Sequence, residues 1–232
     1  CCLIKTFVTT DLQKEMAAAA GMKCVETLTG FKYIGEKLGI YEKQAGGRGK
    51  LGADDWRQKR IEKSTFFVFG GEESYGYSGG DYVRDKDANG AVLMFVEAAA
   101  WAKSQGRNLV QELDGIYRSH GLYLEKLGNL EMPGAEGAKQ IARAVGSYQA
   151  QPPKEWGGRK VVGVQDYEKG SHRDVDGQAI PKERMLIFDL GEGFRVAVRA
   201  SGTEPKMKCY FFGKRKVGAN EDLAKAKKEL AG

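Results

Sequence analysis

The clearest apolar pattern in the chain is the run Phe66–Phe69, which ends abruptly at two glycines. A short aromatic run of this kind predicts a buried strand. Glu72, Glu73 and Ser74 follow, so the strand would deliver two carboxylates and a hydroxyl into a loop whose backbone turns tightly. These side chains suit a polyhydroxyl ligand, because carboxylates accept hydrogen bonds from hydroxyl groups. Solvated acids at an ordinary strand-to-turn junction explain the residue types equally well.

The beginning of the chain alternates between strand and helix patterns. An apolar run over Cys2–Val8 predicts a strand, and a helix pattern then runs from Thr10 to Gly21. Cys24–Glu26 predicts a second short strand. Strand, helix, strand is the opening of an α/β domain.

Two further polar stretches of this first half are candidates for a site. Gly30, Phe31 and Lys32 follow the second strand directly, and open α/β sheets bind ligands at the carboxyl ends of their strands. An ordinary connection with Phe31 in the core is the simpler interpretation of that stretch taken alone. Arg84 and Lys86 come shortly after the acidic loop, where they would balance its charge or hold a phosphate. Solvated charges before a helix explain them equally well.

The second half of the chain has a different pattern. After a predicted linker at Leu127–Gly134 and a helix, four apolar runs follow at close spacing, which predicts antiparallel strands. A helix pattern at each end completes a small α+β layer. The fold class is therefore predicted to be α/β. A mixed α/β/α domain would cover residues 1–130, and a small α+β domain with an antiparallel sheet and helices would cover residues 131–232.

The segment Arg199–Pro205 lies between the last two predicted strands. Ser201 and Thr203 flank Gly202, and Arg199 precedes them. Two hydroxyls, the backbone N–H groups around a glycine and a guanidinium fork together suit a phosphate group. A tight turn that contains these residues by chance is the alternative. We favour phosphate binding, because a plain turn does not require the arginine and both hydroxyls.

The composition fits a globular protein and narrows its possible partners. The 232 residues are 41% hydrophobic and 29% charged, and no apolar run approaches the length of a membrane span. The net charge of +6 comes without the dense basic run and interleaved aromatics that favour nucleic-acid binding. The four cysteines and two histidines lack metal-type spacing, so we expect reduced thiols and a cytoplasmic location.

Taken together, four stretches resemble the α-D-phosphohexomutase family, the phosphoglucomutases and phosphomannomutases. They occur in the family's order and are Thr29–Lys32, Gly71–Gly76, Val83–Asp87 and Arg199–Pro205. The sugar loop and the phosphate loop together make the resemblance specific, and it extends over the whole chain. Family members have four domains. This chain resembles the latter part of domain three, which binds the sugar, followed by domain four, which binds phosphate.

The resemblance implies roles for individual residues. Glu72 and Ser74 would hold sugar hydroxyls, Lys86 would lie close to the ligand, and the domain-four loop would grip the phosphate that is not transferred. The residues expected to bind substrate, from their types and from the resemblance, are Gly30, Phe31, Lys32, Glu72, Ser74, Arg84, Lys86, Arg199, Ser201, Gly202 and Thr203.

The resemblance also implies that the chemistry lies outside this chain. The family's phosphoserine sits in a Ser-His loop of domain one and its Mg²⁺ in an Asp-x-Asp-x-Asp loop of domain two, and neither loop is recognisable here. Asp85–Asp87 and Asp174–Asp176 are only Asp-x-Asp pairs, so we assign no metal ligand and no catalytic residue. With the N-terminal domains of the same protein, the enzyme would interconvert hexose 1-phosphate and hexose 6-phosphate, of glucose or mannose, through a hexose 1,6-bisphosphate.

Two other function classes remain open at this stage. A stand-alone, non-catalytic sugar-phosphate sensor would have kept these domains alone, with a start codon just before Cys1. Nucleic-acid binding through the basic surplus predicts salt-dependent retention on DNA and is disfavoured by the charge pattern. An upstream Ser-His loop in the reading frame would favour the enzyme over the sensor.

Overall fold

The computed structural model describes residues 1–201 and 206–231, which divide into two compact units. The first unit comprises Cys1–Gly115 together with Asp174–Gln178. The second comprises Ile116–Arg173 and the residues from Ala179 onwards. Each unit has its own sheet and its own apolar cluster, so the two fold around separate centres.

The first unit is built on a four-stranded sheet. The strands are β1 (Cys2–Thr6), β2 (Lys23–Thr27), β3 (Phe67–Glu72) and β4 (Gly76–Ser78). The helices are α1 (Leu12–Ala19), α2 (Phe31–Gln44), α3 (Ala53–Lys63), α4 (Ala88–Ser104) and the first part of α5 (Leu109–His120). The strand order is β2-β1-β3-β4, with β1 parallel to both β2 and β3, and β4 antiparallel to β3. Since parallel strands end on the same side, the segments after β1, β2 and β3 lie at one edge of the sheet.

The core of the first unit lies between the sheet and α2. Side chains alternate along each strand, so every second one faces the helix. Apolar side chains at helical spacing on α2 face back towards the sheet. The cluster consists of Cys2, Ile4, Val25, Phe31, Ile34, Leu38, Tyr41 and Phe67. Because Phe31 is the first residue of α2, this packing fixes the start of the helix.

Two glycines of α2 allow the segment after β4 to lie directly against the helix. A Cβ at Gly35 would lie 2.6 Å from the carbonyl oxygen of Arg84. A Cβ at Gly39, one turn further, would lie 2.7 Å from Nη1 of the same arginine. The guanidinium also pairs with Glu42 on α2. Close backbone approach and an ion pair therefore hold the segment that carries Lys86.

The second unit is built on a five-stranded antiparallel sheet. Its elements are β5 (Leu122–Glu131), α6 (Gly134–Ala150), β6 (Glu155–Trp156), β7 (Arg159–Lys160), β8 (Gly163–Asp166), β9 (Met185–Asp189), β10 (Phe194–Ala200), β11 (Lys206–Arg215) and α7 (Leu223–Ala231). The order is β5-β11-β10-β9-β8, and β6 and β7 form a separate hairpin. From α6, Ile141 and Val145 pack on the apolar face of the large sheet.

The predicted fold class is confirmed, but the predicted linker at Leu127–Gly134 is wrong. Residues up to Glu131 belong to β5, which pairs with β11 along its whole length. Most side chains in the later part of β5 are exposed, so this strand has no apolar pattern in the sequence. The two units accordingly divide between Gly115 and Ile116, not near residue 130.

The two α2 glycines provide a matched pair of substitutions. Alanine has a higher helix propensity than glycine, by up to about 1 kcal/mol, and this difference favours both Gly35→Ala and Gly39→Ala. At Gly39 the new Cβ meets the end of a flexible side chain, so Gly39→Ala should leave stability unchanged or raise it. At Gly35 it meets the backbone of Arg84, so Gly35→Ala should lower the free energy of unfolding by about 1–3 kcal/mol. Urea unfolding measures both variants, and equal effects would contradict the packing of Arg84 on α2.

Candidate functional site

Glu72 is the centre of the candidate site. β3 does not stop at the two glycines, as the apolar pattern predicts, but continues through them to Glu72 and pairs with β4. The acid is therefore the last residue of a strand, and Glu73–Tyr75 form the turn after it. Glu72 is only 4% exposed. A carboxylate buried to this extent needs donors or a cation beside it.

The backbone of Gly30 supplies one donor. Its N–H donates to Oε1 of Glu72 at 2.6 Å. Gly30 precedes α2 with a φ of 125°, a conformation that glycine adopts far more readily than residues with a Cβ. The carboxylate thus lies at a helix N-terminus, where backbone N–H groups stabilise negative charge. One hydrogen bond joins the end of β3 to the start of α2.

Lys86 brings a positive charge to the other oxygen of the same carboxylate. Its Nζ lies 3.8 Å from Oε2 of Glu72. The aliphatic part of the lysine passes over Gly76, where an added Cβ would lie 3.1 Å from Cδ of Lys86 and 3.3 Å from Oε2 of Glu72. The lysine side chain is 58% exposed. Glu72 therefore brings together three of the four stretches that the sequence singles out.

The other predicted residues around Glu72 take different positions. Ser74 lies in the exposed turn after β3, and Lys32 is exposed on the first turn of α2. The Nζ of Lys32 lies 4.8 Å from the ring centroid of Tyr33. Phe31 packs in the core. Ser74 and Lys32 are therefore open to solvent. Phe31 instead packs in the apolar core and fixes the first turn of α2.

Arg84 lies beside α2, whereas Lys86 lies beside Glu72. The guanidinium of Arg84 pairs with Glu42, and the main chain of Arg84 lies against Gly35. It therefore balances an acid on α2. We interpret Arg84 as a residue that positions Lys86, two residues further along the chain.

The second unit carries Arg199 near the end of β10. The Nε of Arg199 donates to a carboxylate oxygen of Glu183. Burial alone would lower the pKa of Arg199, but the hydrogen bond and the charge of Glu183 raise it above its ordinary value. The guanidinium is therefore charged and held in one orientation at the start of the predicted phosphate loop.

A backbone hydrogen bond joins the described residues on either side of the predicted phosphate loop. The backbone N–H of Ser201 donates to the carbonyl oxygen of Lys206 at 2.8 Å. This contact brings the end of β10 next to the beginning of β11. The two other predicted residues of this loop, Gly202 and Thr203, lie outside the described residues.

Sequence reasoning missed an ion-pair cluster in the first unit. Asp174 and Asp176 each accept a hydrogen bond from Nζ of Lys37 at 2.7 Å. Asp176 also accepts from Lys23 and from the hydroxyl of Tyr41. Burial alone would raise the pKa of Asp176, but these three donors lower it to about 2. The available sequence signal is that Lys37 falls on the apolar face of α2.

A second buried charge, Lys5, lies in β1. Its Nζ is 2.8 Å from Oε1 of Glu26 and 3.0 Å from Oδ1 of Asp11. Burial alone would raise the pKa of Glu26, but Lys5 and Lys14 lower it to about 2. The sequence signal is a lysine inside an apolar strand, a position that is stable only when the charge is paired.

The residues that the structure describes do not fit the Mg²⁺ ion that the resemblance implies. Over residues 1–201 and 206–231, no three His, Cys, Asp or Glu side chains are grouped so that they could hold an ion. The Asp174 and Asp176 carboxylates face the ammonium groups of Lys23 and Lys37, which would repel a cation. We therefore derive no reaction step through a metal from these residues.

Comparison with known proteins extends these observations. The family described as phosphoglucomutase/phosphomannomutase, alpha/beta/alpha domain III, matches residues 2–119, just over half of the chain. A phosphoglucomutase of Staphylococcus epidermidis and one of Staphylococcus aureus are each 32% identical over 213 residues. Each alignment covers 90% of this chain and 35% of the relative. The chain thus spans about a third of the length of the curated relatives it matches.

A solved structure has a similar fold. It is pp63/parafusin of Paramecium, described as an exocytosis-sensitive phosphoprotein and a phosphoglucomutase. The TM-score is 0.60 at 21% identity, over 99% of this chain and 35% of that chain. At this level of identity the likeness supports the fold alone.

Substitutions of Glu72 test the hydrogen bond that joins β3 to α2. Glu72→Ala leaves the Gly30 N–H without its acceptor, and should lower the free energy of unfolding by about 1–3 kcal/mol. Glu72→Gln keeps an acceptor oxygen and loses only the charge pairing with the exposed Lys86 at 3.8 Å, so its cost should stay below about 1 kcal/mol. Urea unfolding of both variants measures the difference. If glutamine proves as destabilising as alanine, the backbone hydrogen bond is not what holds the carboxylate.

The low pKa values of Asp176 and Glu26 predict acid sensitivity. Their ordinary values are 3.8 and 4.5, and both fall to about 2 in the folded protein. The stability they contribute is complete above about pH 4.5 and is lost as the pH falls towards 2. Asp176→Asn or Glu26→Gln should make unfolding stability less dependent on pH in this window, because neither amide titrates. Urea unfolding between pH 2 and 5 provides the measurement, and an unchanged slope in both variants would disprove the pairing.

Proposed function

The chain belongs to the phosphoglucomutase/phosphomannomutase family, and we propose that it is the substrate-binding part of a phosphohexomutase. The complete enzyme would interconvert hexose 1-phosphate and hexose 6-phosphate of glucose or mannose, through a hexose 1,6-bisphosphate. The chain spans 35% of its phosphoglucomutase relatives. The phosphoserine and the Mg²⁺ ion therefore belong, in this proposal, to the remainder of a longer protein. We expect the 232 residues alone to bind substrate without turning it over.

The contact of Glu72 with Gly30 and Lys86 is the observation that carries the proposal. Oε1 is held by a backbone N–H, so the carboxylate has one fixed orientation before any ligand arrives. A fixed acceptor binds a hydroxyl at a smaller entropic cost than a mobile one. The exposed hydroxyl of Ser74, two residues on, adds a group that both donates and accepts. A sugar ring presents hydroxyls to such a set.

In this proposal Lys86 moves aside when a hydroxyl approaches Oε2 of Glu72, because its Nζ lies 3.8 Å from that oxygen. The two groups are 3.8 Å apart and the lysine is mostly exposed, so their pairing is worth less than about 1 kcal/mol. A ligand displaces such a contact at little cost. The released ammonium group then turns to the oxygens of the bound sugar phosphate. Lys86 would thus both shield the empty acceptor and bind the ligand.

Arg199 and Ser201 supply the phosphate-binding part of the proposal. The Nε of Arg199 is engaged by Glu183, and a guanidinium carries further N–H groups on its two Nη atoms. Their planar fork matches the geometry of phosphate oxygens. Phosphoryl transfer depends mainly on positioning and charge neutralisation. The residues of this chain would position the sugar and anchor the phosphate that is not transferred.

Calorimetric titration of the 232-residue chain with glucose 1-phosphate tests the proposal. Arg199→Ala should weaken binding at least tenfold, because a charge-assisted hydrogen bond is worth about 1.5–3 kcal/mol. Arg195→Ala is the matched control, since it removes the same charge from the same face of β10. The control lies four residues away, about 13 Å along the strand. It should bind with wild-type affinity.

A second variant separates phosphate binding from folding. Arg199→Lys keeps a positive charge beside Glu183 but lacks the fork, so it should preserve the fold and still weaken binding. Equal weakening of binding by Arg199→Ala and Arg195→Ala would show a general charge effect. It would contradict the proposal that Arg199 binds the phosphate group. If the wild-type chain binds neither glucose 1-phosphate nor mannose 1-phosphate, the proposed function is wrong as a whole.

A further inference from the structure

Helix α4 exposes large apolar side chains on several of its sides. Five of them expose more than half of their surface: Val92 (64%), Leu93 (61%), Phe95 (65%), Val96 (57%) and Trp101 (55%). At about 100° per residue, Val92 and Trp101 project from opposite sides of the helix. Glu97 and Lys103 are the charged residues among its 17 positions. Large exposed apolar patches of this kind mark interaction sites.

The contacts of α4 with its own unit use only a narrow strip. Ala102 is buried, and Met94 lies directly against Gly79, next to β4. The start of the helix is capped, because the Asp87 carboxylate accepts from the N–H of Asn89 at 3.1 Å. The helix is thus anchored at its beginning and along one strip. Within the described part of the chain, its five large apolar side chains remain exposed.

The distribution of these side chains favours one kind of occupant. A helix that is apolar on all sides is typically buried inside a larger protein or a membrane. No helix within residues 1–201 and 206–231 is long and apolar enough to cross a membrane. A second copy of the chain, related by a two-fold axis, would cover one patch and leave the opposite side exposed. Burial from several sides requires more protein around the helix.

We propose that α4 is the docking surface for another part of the same, longer polypeptide. The relatives align with this chain over only 35% of their length, so they contain nearly twice as many further residues. An apolar segment from that remainder would pack on Val92, Phe95 and Val96, and others would reach the side of Trp101. This inference concerns assembly and does not depend on hexose phosphate binding.

Docking on α4 has a consequence for the candidate site. The helix begins at Ala88, directly after the Lys86–Asp87 dipeptide. A helix covered on several sides is held more rigidly than one anchored on a narrow strip. The remainder of the polypeptide would therefore also fix the segment that brings Lys86 to Glu72.

Hydrogen exchange measured by mass spectrometry tests the docking surface. The 232-residue chain is compared with the complete polypeptide expressed from its native reading frame. Amides of α4 should exchange at least tenfold more slowly in the complete polypeptide. Amides of α2, whose apolar face is already buried in the first unit, serve as the internal control and should change little.

The substitution Phe95→Glu sharpens this test. The side chain is 65% exposed, so the change should leave the unfolding of the 232-residue chain unaffected while it removes the extra protection of α4 in the complete polypeptide. Equal exchange of α4 in the two proteins would overturn the proposal. So would a reading frame that encodes no further residues, or a dimer of the 232-residue chain that Phe95→Glu dissociates.

Discussion

A single buried carboxylate, that of Glu72, determines how the candidate site is put together. It lies at the end of β3, accepts a hydrogen bond from the N–H of Gly30 and faces the ammonium group of Lys86. These three residues come from three separate segments of the chain. A buried charge without such partners would cost several kcal/mol, so folding and the assembly of the site are one event. The candidate residues Gly30 and Glu72 are thereby held at the start of α2 and the end of β3 before a ligand arrives.

Other buried charges secure the elements that carry this site. Lys37 and Asp176 tie the Asp174–Gln178 segment to α2, and Lys5 with Glu26 ties β1 to β2. Arg84 packs on α2 through two glycines that leave room for its backbone and its guanidinium. Every one of these contacts converges on the strand ends or on α2. Polar interactions therefore hold the edge of the sheet where the candidate ligand-binding residues lie, and apolar packing holds its centre.

Much of this arrangement could be predicted from the residues, and the failures have physical causes. Apolar runs revealed β1, β3 and the antiparallel sheet, because burial forces periodicity on a sequence. The exposed strand β5 has no such periodicity, so its sequence predicts a linker instead of a strand. Glu72 was recognised by its type, but its partner is the backbone N–H of Gly30, which no side-chain pattern can reveal. Arg84 and Lys86 look equivalent in sequence, and only the packing of α2 separates their roles.

If Glu72, Gly30 and Lys86 form one pre-organised site for a hexose phosphate, their backbone amides must respond together. The direct measurement is a titration of the ¹⁵N-labelled 232-residue chain with glucose 1-phosphate, followed by two-dimensional ¹H–¹⁵N spectra. The predicted result is that the three amide signals shift and saturate at the same ligand concentration. Signals that shift elsewhere in the chain, while these three stay in place, would contradict the existence of the site.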